Sequence, residues 1–136
     1  MTLLDIDLLS FKINPYKMKT NPILERLIIF NNDVFNNLSA LQDLRTTNYL
    51  VDQIFRSTSS AALNYSEAIL SSSDRDYANK VRISLKEINE TCTILKLIES
   101  RAPDSLQNLD KLKKEADELT AILSTCCRKA EAKFKK

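Results

Sequence analysis

Residues 105–134 read SLQNLDKLKKEADELTAILSTCCRKAEAKF. Leu109, Leu112, Ala116, Leu119, Leu123, Cys126 and Ala130 recur at alternating spacings of three and four, the repeat that gathers small and apolar side chains on one face of a helix. Lysines and acids fill the positions between. At a rise of 1.5 Å per residue such a helix runs about 45 Å and buries one stripe, so it needs partners of similar length. The chain upstream supplies three.

Pro103 closes the preceding helix, and Asp104 or Ser105 can cap the next. That third helix, about 74–100, sets Tyr77, Val81, Leu85, Ile88, Cys92, Leu95 and Ile98 on one face, and Ser73 with Asp76 resembles a capping box at its start. Ser71, Ser72 and Ser73 break it from a second helix, about 47–70, where Val51, Ile54, Thr58, Ala61, Tyr65 and Ala68 keep the same spacing. Its middle, Ser57 to Ala62, is uniformly small, so the tightest helix contact is expected there, within the chain or between subunits. A first helix, about 22–44, opens on Asn21 as N-cap and Pro22 at the first helical position. Leu24, Leu27, Val34, Leu38 and Leu41 form its stripe, Ile23, Ile28, Phe30 and Phe35 widen it, and Asn31 interrupts it as a register or rim residue. Four helices of similar length on short links predict an all-α, up-down-up-down four-helix bundle.

Residues 1–20 stand apart as an N-terminal arm, leaving 21–136 as the bundle with a basic tail. In the arm Leu4, Ile6 and Leu8 alternate with Asp5 and Asp7, and Phe11, Ile13 and Tyr16 continue an apolar bias without a helical period. Such an arm either lies across a groove of its own domain or docks on a partner.

The absent residue types narrow the function. The 136 residues include no His, Gly or Trp. Without His there is no Ser-His-Asp or Cys-His nucleophile and no His-metal site, and a Glu-x-x-His carboxylate metal site in the bundle is also excluded. Without Gly there is no phosphate-cradling P-loop and no GxGxxG turn. Cys92, Cys126 and Cys127 are odd in number and lack CxxC spacing, the first ten residues are acidic where a signal peptide is basic, and no apolar run is long enough to span a membrane. A cytoplasmic protein without cofactor, metal or catalytic activity is expected.

The formal net charge of +2 conceals an asymmetry. Arg128, Lys129, Lys133, Lys135 and Lys136 stand against Glu131, a net +4 over 128–136, which leaves 1–127 at −2. Such a tail either complements the helix dipole as a solvated end or binds phosphates, weakly in one copy and additively in an oligomer. Arg75, Lys80, Arg82, Lys86, Lys96 and Arg101 of the third helix are interleaved with acids, which suggests intrahelical pairing.

LVDQIFRSTSSAALNYSEA over 50–68, followed by KVRISLKEINET over 80–91, resembles the signature of the bacterial four-helix-bundle family named after proteins encoded in 23S rRNA intervening sequences. Gln53, Arg56, Ser57, Ser60, Asn64, Glu67 and Ala68 match its first block. Lys80, Ile83, Ser84, Leu85, Lys86, Glu87, Glu90 and Thr91 match the second, and NPILE at 21–25 and EADELTAIL at 115–123 are similar as well. Thr58 and Ala62 stand where the family carries Gly, so its closest backbone approach is relaxed or repacked here. The resemblance implies a ring-like homopentamer with no known catalytic activity. Relatives include the accessory variability determinant of diversity-generating retroelements, which binds nucleic acid and a reverse transcriptase. Arg56, Ser57, Thr58, Ala62, Asn64, Glu67, Lys86 and Glu87 are then candidate structural or subunit contacts. Among these, Asn64, Glu67, Lys86 and Glu87 are expected as polar contacts between helices. The arm and the tail fall outside the matched region, about 21–127.

Two functions follow as expectations. In the first, the protein is a non-enzymatic homopentameric adaptor whose five tails present about +20 at one end and bind RNA or DNA. It would serve as accessory to a reverse transcriptase or another neighbouring-gene protein. In the second it is a protein-protein scaffold that holds a partner with its arm and binds no nucleic acid.

Overall fold

The side chain of Asn21 accepts hydrogen bonds from the Ile23 and Leu24 amides at 3.1 and 3.0 Å, and Pro22 opens the first helix behind this cap. The structure, a computed structural model, describes residues 21–102 and 108–135. The arm at 1–20, the capping roles of Asp104 and Ser105, and Lys136 lie outside the described residues.

Helix α1 spans Pro22–Leu38, α2 Asn48–Ile69, α3 Asp74–Arg101 and α4 Leu109–Phe134. The fold is all-α, and successive helices pack against each other as in an up-down bundle. Helix α1 stops short of the expected residue 44 because the chain tightens into a 3-10 turn over Ser39–Asp43. There the Ser39 hydroxyl bonds back to the Phe35 carbonyl, and the Thr47 hydroxyl donates to the Leu41 carbonyl at 2.8 Å. The tighter winding stacks positions three apart, so Leu38 and Leu41 both remain buried. Helix α3 starts as its sequence requires, with the Asp76 amide donating to Ser73 Oγ at 3.1 Å.

The core joins Leu24, Leu27, Phe30 and Val34 of α1 to Val51, Ile54, Ala61 and Tyr65 of α2, Val81, Ile88, Leu95 and Ile98 of α3, and Leu112, Ala116, Leu119 and Leu123 of α4. Burying each large apolar side chain contributes roughly 1.5–3 kcal/mol. The small stretch of α2 is a tight crossing within the chain. Ser57 Oγ lies 2.7 Å from Thr91 Oγ1, and the Ser84 hydroxyl donates to the Ala61 carbonyl at 2.8 Å, all with side chains closed off from solvent. Asn31 is the register residue: its amide donates to Thr58 Oγ1 at 2.7 Å and Ser59 Oγ at 3.0 Å, tying α1 to α2.

Two helical faces are rotated from their expected positions. In α3, Ala78, Ser84, Thr91 and Ile94 are buried, whereas Tyr77, Leu85 and Cys92 are half-buried beside the core. The cause is that α3 packs on α2 and α4 at once, and the stripe facing α2 is built from hydroxyl residues that pair across the crossing. In α4, Cys127 is buried where Cys126 was expected. The contact between α1 and α4 is the sparsest of the four neighbouring helix pairs.

Candidate functional site at the cationic end

Helix α4 carries Arg128, Lys129 and Lys133 on its last turns and Lys135 as the C-cap that follows, all exposed. Antiparallel packing brings the first turns of α3 beside them. The Glu131 carboxylate accepts from Arg82, lies 3.7 Å from Lys135 and therefore sits between two helices. Lys133 lies 3.9 Å from Asp74, and the Arg75 guanidinium sits 4.7 Å over the Phe134 ring. None of the ion pairs among the described residues involves Arg128 or Lys129. With Arg75, Lys80 and Arg82 counted, seven cations face four acids here, Glu67, Asp74, Asp76 and Glu131. The end stays cationic, but part of the tail's charge is neutralised by α3.

A cavity of about 580 Å³ opens in this end of the bundle. Asn21, Tyr65, Ile69, the Ser71–Asp74 link, Tyr77, Cys126, Lys129, Ala130 and Lys133 line it. Burial pushes the Tyr65 and Tyr77 phenols above their ordinary value, so both stay protonated at neutral pH. Burial, followed by the neighbouring Glu131 charge, also raises the Cys127 thiol, which keeps it unreactive. Among the described residues no group of three or more His, Cys, Asp or Glu side chains is placed to hold a metal ion.

Glu131 gives this end a pH dependence. The hydrogen bond from Arg82 holds its carboxyl below the ordinary value against the opposing effect of burial, with the Lys135 charge adding to the shift. A depressed folded pKa contributes stability that is fully present above the unfolded value of about 4.3 and is lost as pH falls through the folded one. Glu131→Gln should therefore lose less stability than the parent between neutral pH and the acid side of that range in urea titrations. Equal acid sensitivity in the two proteins would contradict this linkage.

The residues matched to the family blocks lie elsewhere, mostly along α2 and α3. Arg56 reaches Glu87 at 2.9 Å and Glu90 at 2.7 Å, and Lys80 reaches Glu67 at 2.6 Å, all across the α2–α3 seam. These pairs are part-exposed and each contributes at most about 1 kcal/mol, so they fix register more than stability. Ser57 and Thr58 are buried and Ala62 packs against the core. Asn64 departs from expectation: its amide bonds to Ser60 of its own helix, at 2.9 Å to the carbonyl, instead of crossing to α3. Lys86 is exposed on the outer face of α3, in line with Ile83 and Asn89, and makes no ion pair among the described residues. The intrahelical pairing expected within α3 is replaced by pairing between helices, through Lys80 and Arg82. Sequence reasoning missed the cavity and the roles of Arg75, Arg82 and Tyr77. The SSSDRD run at 71–76 was the available signal, since a polar link flanked by charge marks an exposed corner.

Together these features define a small all-α bundle protein. Residues 19–125 match the family described as 23S rRNA-intervening sequence protein, and the chain belongs to that family. Its description names no reaction. Among solved structures, the chain is similar to a protein of unknown function from the S23 ribosomal protein family of Bacteroides thetaiotaomicron VPI-5482. The TM-score is 0.70 at 25% identity, covering 77% of this chain and 97% of the other. No curated protein sequence matches. The cationic turns of α4 after residue 125 lie beyond the family match. No helix among the described residues is long and apolar enough to cross a membrane.

Proposed function

We propose that this chain is a non-enzymatic adaptor that assembles as a homopentamer and binds nucleic acid through the cationic end of α4. The observation that carries the reading is the placement of Arg128, Lys129, Lys133 and Lys135 on one exposed end, with Arg75 beside them. A few cations per chain bind phosphates weakly, so the function requires several copies to present their ends together. Support for self-association comes from α1, where Ile28, Ile29 and Phe35 are about half exposed and Phe35 stacks on Phe55 of α2 at 5.1 Å. The protein cargo on such a ring would be a reverse transcriptase or another neighbouring-gene product.

The test is a salt series of binding to labelled RNA and DNA, comparing the parent with a variant carrying Arg128→Gln, Lys129→Gln, Lys133→Gln and Lys135→Gln. The slope of log K against log salt should fall by about 0.9 for each duplex phosphate contact removed, and binding at moderate salt should disappear. Unchanged affinity and slope would refute the reading. That outcome would favour the scaffold function, in which the exposed apolar residues of α1 meet a protein partner and the cations serve solubility.

A further inference from the structure

The last turn of a helix frays easily, because its final carbonyls lack helical partners. In α4 that turn is tied to the start of α3. Arg82 donates to the Glu131 carboxylate, Lys133 lies 3.9 Å from Asp74, and the Arg75 guanidinium rests 4.7 Å over the Phe134 ring. The two ion pairs are part-exposed, so salt screens them. The stacked pair differs in kind. Phe134 is half-buried, closes α4, and is the only aromatic side chain of that helix.

We propose that Phe134 is a positioning residue that holds Arg75 ready to bind a phosphate, so that the nucleic-acid face spans α3 as well as α4. A planar guanidinium stacked on a ring keeps the N–H groups of its edge for an anion, and that fork matches two oxygens of one phosphate. The acids nearest to Arg75 in sequence are engaged elsewhere. Asp74 faces Lys133, and the Asp76 carboxylate accepts from the Ser72 hydroxyl at 3.3 Å. Arg75 itself makes no ion pair among the described residues. Stacking also restricts a long side chain before any ligand arrives, which lowers the entropy lost on contact. The inference rests on the nucleic-acid reading above and adds that an uncharged ring governs how well the charge is used.

Phe134→Leu and Phe134→Tyr in the full chain test this without altering its charge. In the absence of nucleic acid, amide exchange by nuclear magnetic resonance should be about two- to fivefold faster in the last turn of α4 for the leucine variant, and unchanged for the tyrosine variant. With labelled duplex DNA, the leucine variant should lose about 0.9 from the slope of log K against log salt for each Arg75 that no longer reaches a phosphate. Tyrosine, which keeps the ring face, should restore both the slope and the affinity. Arg75→Gln should lower the slope by the same amount in the parent and add little in the leucine variant, because the two changes remove one contact. Parental affinity and slope in Phe134→Leu overturn the proposal. So does an Arg75→Gln loss that is equally large in both backgrounds. A parent that binds neither RNA nor DNA overturns the phosphate role together with the reading it rests on, and faster amides in the leucine variant would then leave only the pinning of α4 to α3.

Discussion

Phe30→Ala should lower the melting temperature by roughly 10–20 °C, followed by far-ultraviolet circular dichroism. The ring is 1% exposed and is the largest fully buried side chain of the core. It borders a cleft of about 360 Å³ between α1 and α4, lined also by Asn37, Asn108 and Leu112. Truncation removes the transfer free energy of the ring and enlarges a gap that the sparse α1–α4 seam cannot close by collapse. Together these cost about 3–5 kcal/mol. A shift below about 4 °C would mean that α1 melts apart from the other helices and does not belong to their cooperative unit.

Ser84→Leu is the second large effect, expected at about 2–4 kcal/mol, whereas Ser84→Ala should cost about 1 kcal/mol or less. Ser84 is fully buried with its hydroxyl 2.8 Å from the Ala61 carbonyl, so its Cβ faces the α2 backbone directly. Alanine loses that hydrogen bond, but the carbonyl lies inside a helix and keeps its helical N–H partner. Leucine loses the same bond and drives extra carbon atoms into the α2 backbone, forcing the helices apart at Ser57 and Thr91. Urea denaturation of both variants separates the two contributions. Equal losses would show that the hydrogen bond, and not the closeness of the crossing, governs this seam.

These two positions also mark what sequence could and could not reveal. Leu24, Leu27, Val34 and Leu38, or Leu112 to Leu123, are apolar at helical spacing, and their burial follows directly from the pattern. The cap at Asn21 and the start at Ser73 were equally legible, because each rests on side chain and backbone atoms within a few residues. The α2–α3 crossing was legible as a run of small residues, but its partners were not. Ser84 and Thr91 fall outside the apolar stripe that spacing picks out on α3, and they are buried because Ala61 and Ser57 lie across from them. The end of α1 was misplaced for a similar reason: hydropathy continues through Leu41 while the winding changes at Ser39. At the candidate site the cations of α4 were countable from sequence. Their partial neutralisation was not, since Arg82 and Asp74 approach from another helix.

The uneven packing of the four helices has a consequence for how the chain assembles. Each helix rests mainly on its neighbour in sequence, and the first-to-last seam is the weakest. Contact order is therefore low, and a chain of this kind acquires most of its structure through short loop closures, which favours rapid folding. The hairpin of α2 and α3 makes the most extensive contact, and adding α4 to it needs one further short closure. Helix α1, latched chiefly to α2, is the natural last addition and the first element to detach. Local opening there would expose the hydrophobic interior along the α1–α4 edge before any other seam, so the molecule carries a built-in order of disassembly that starts at α1.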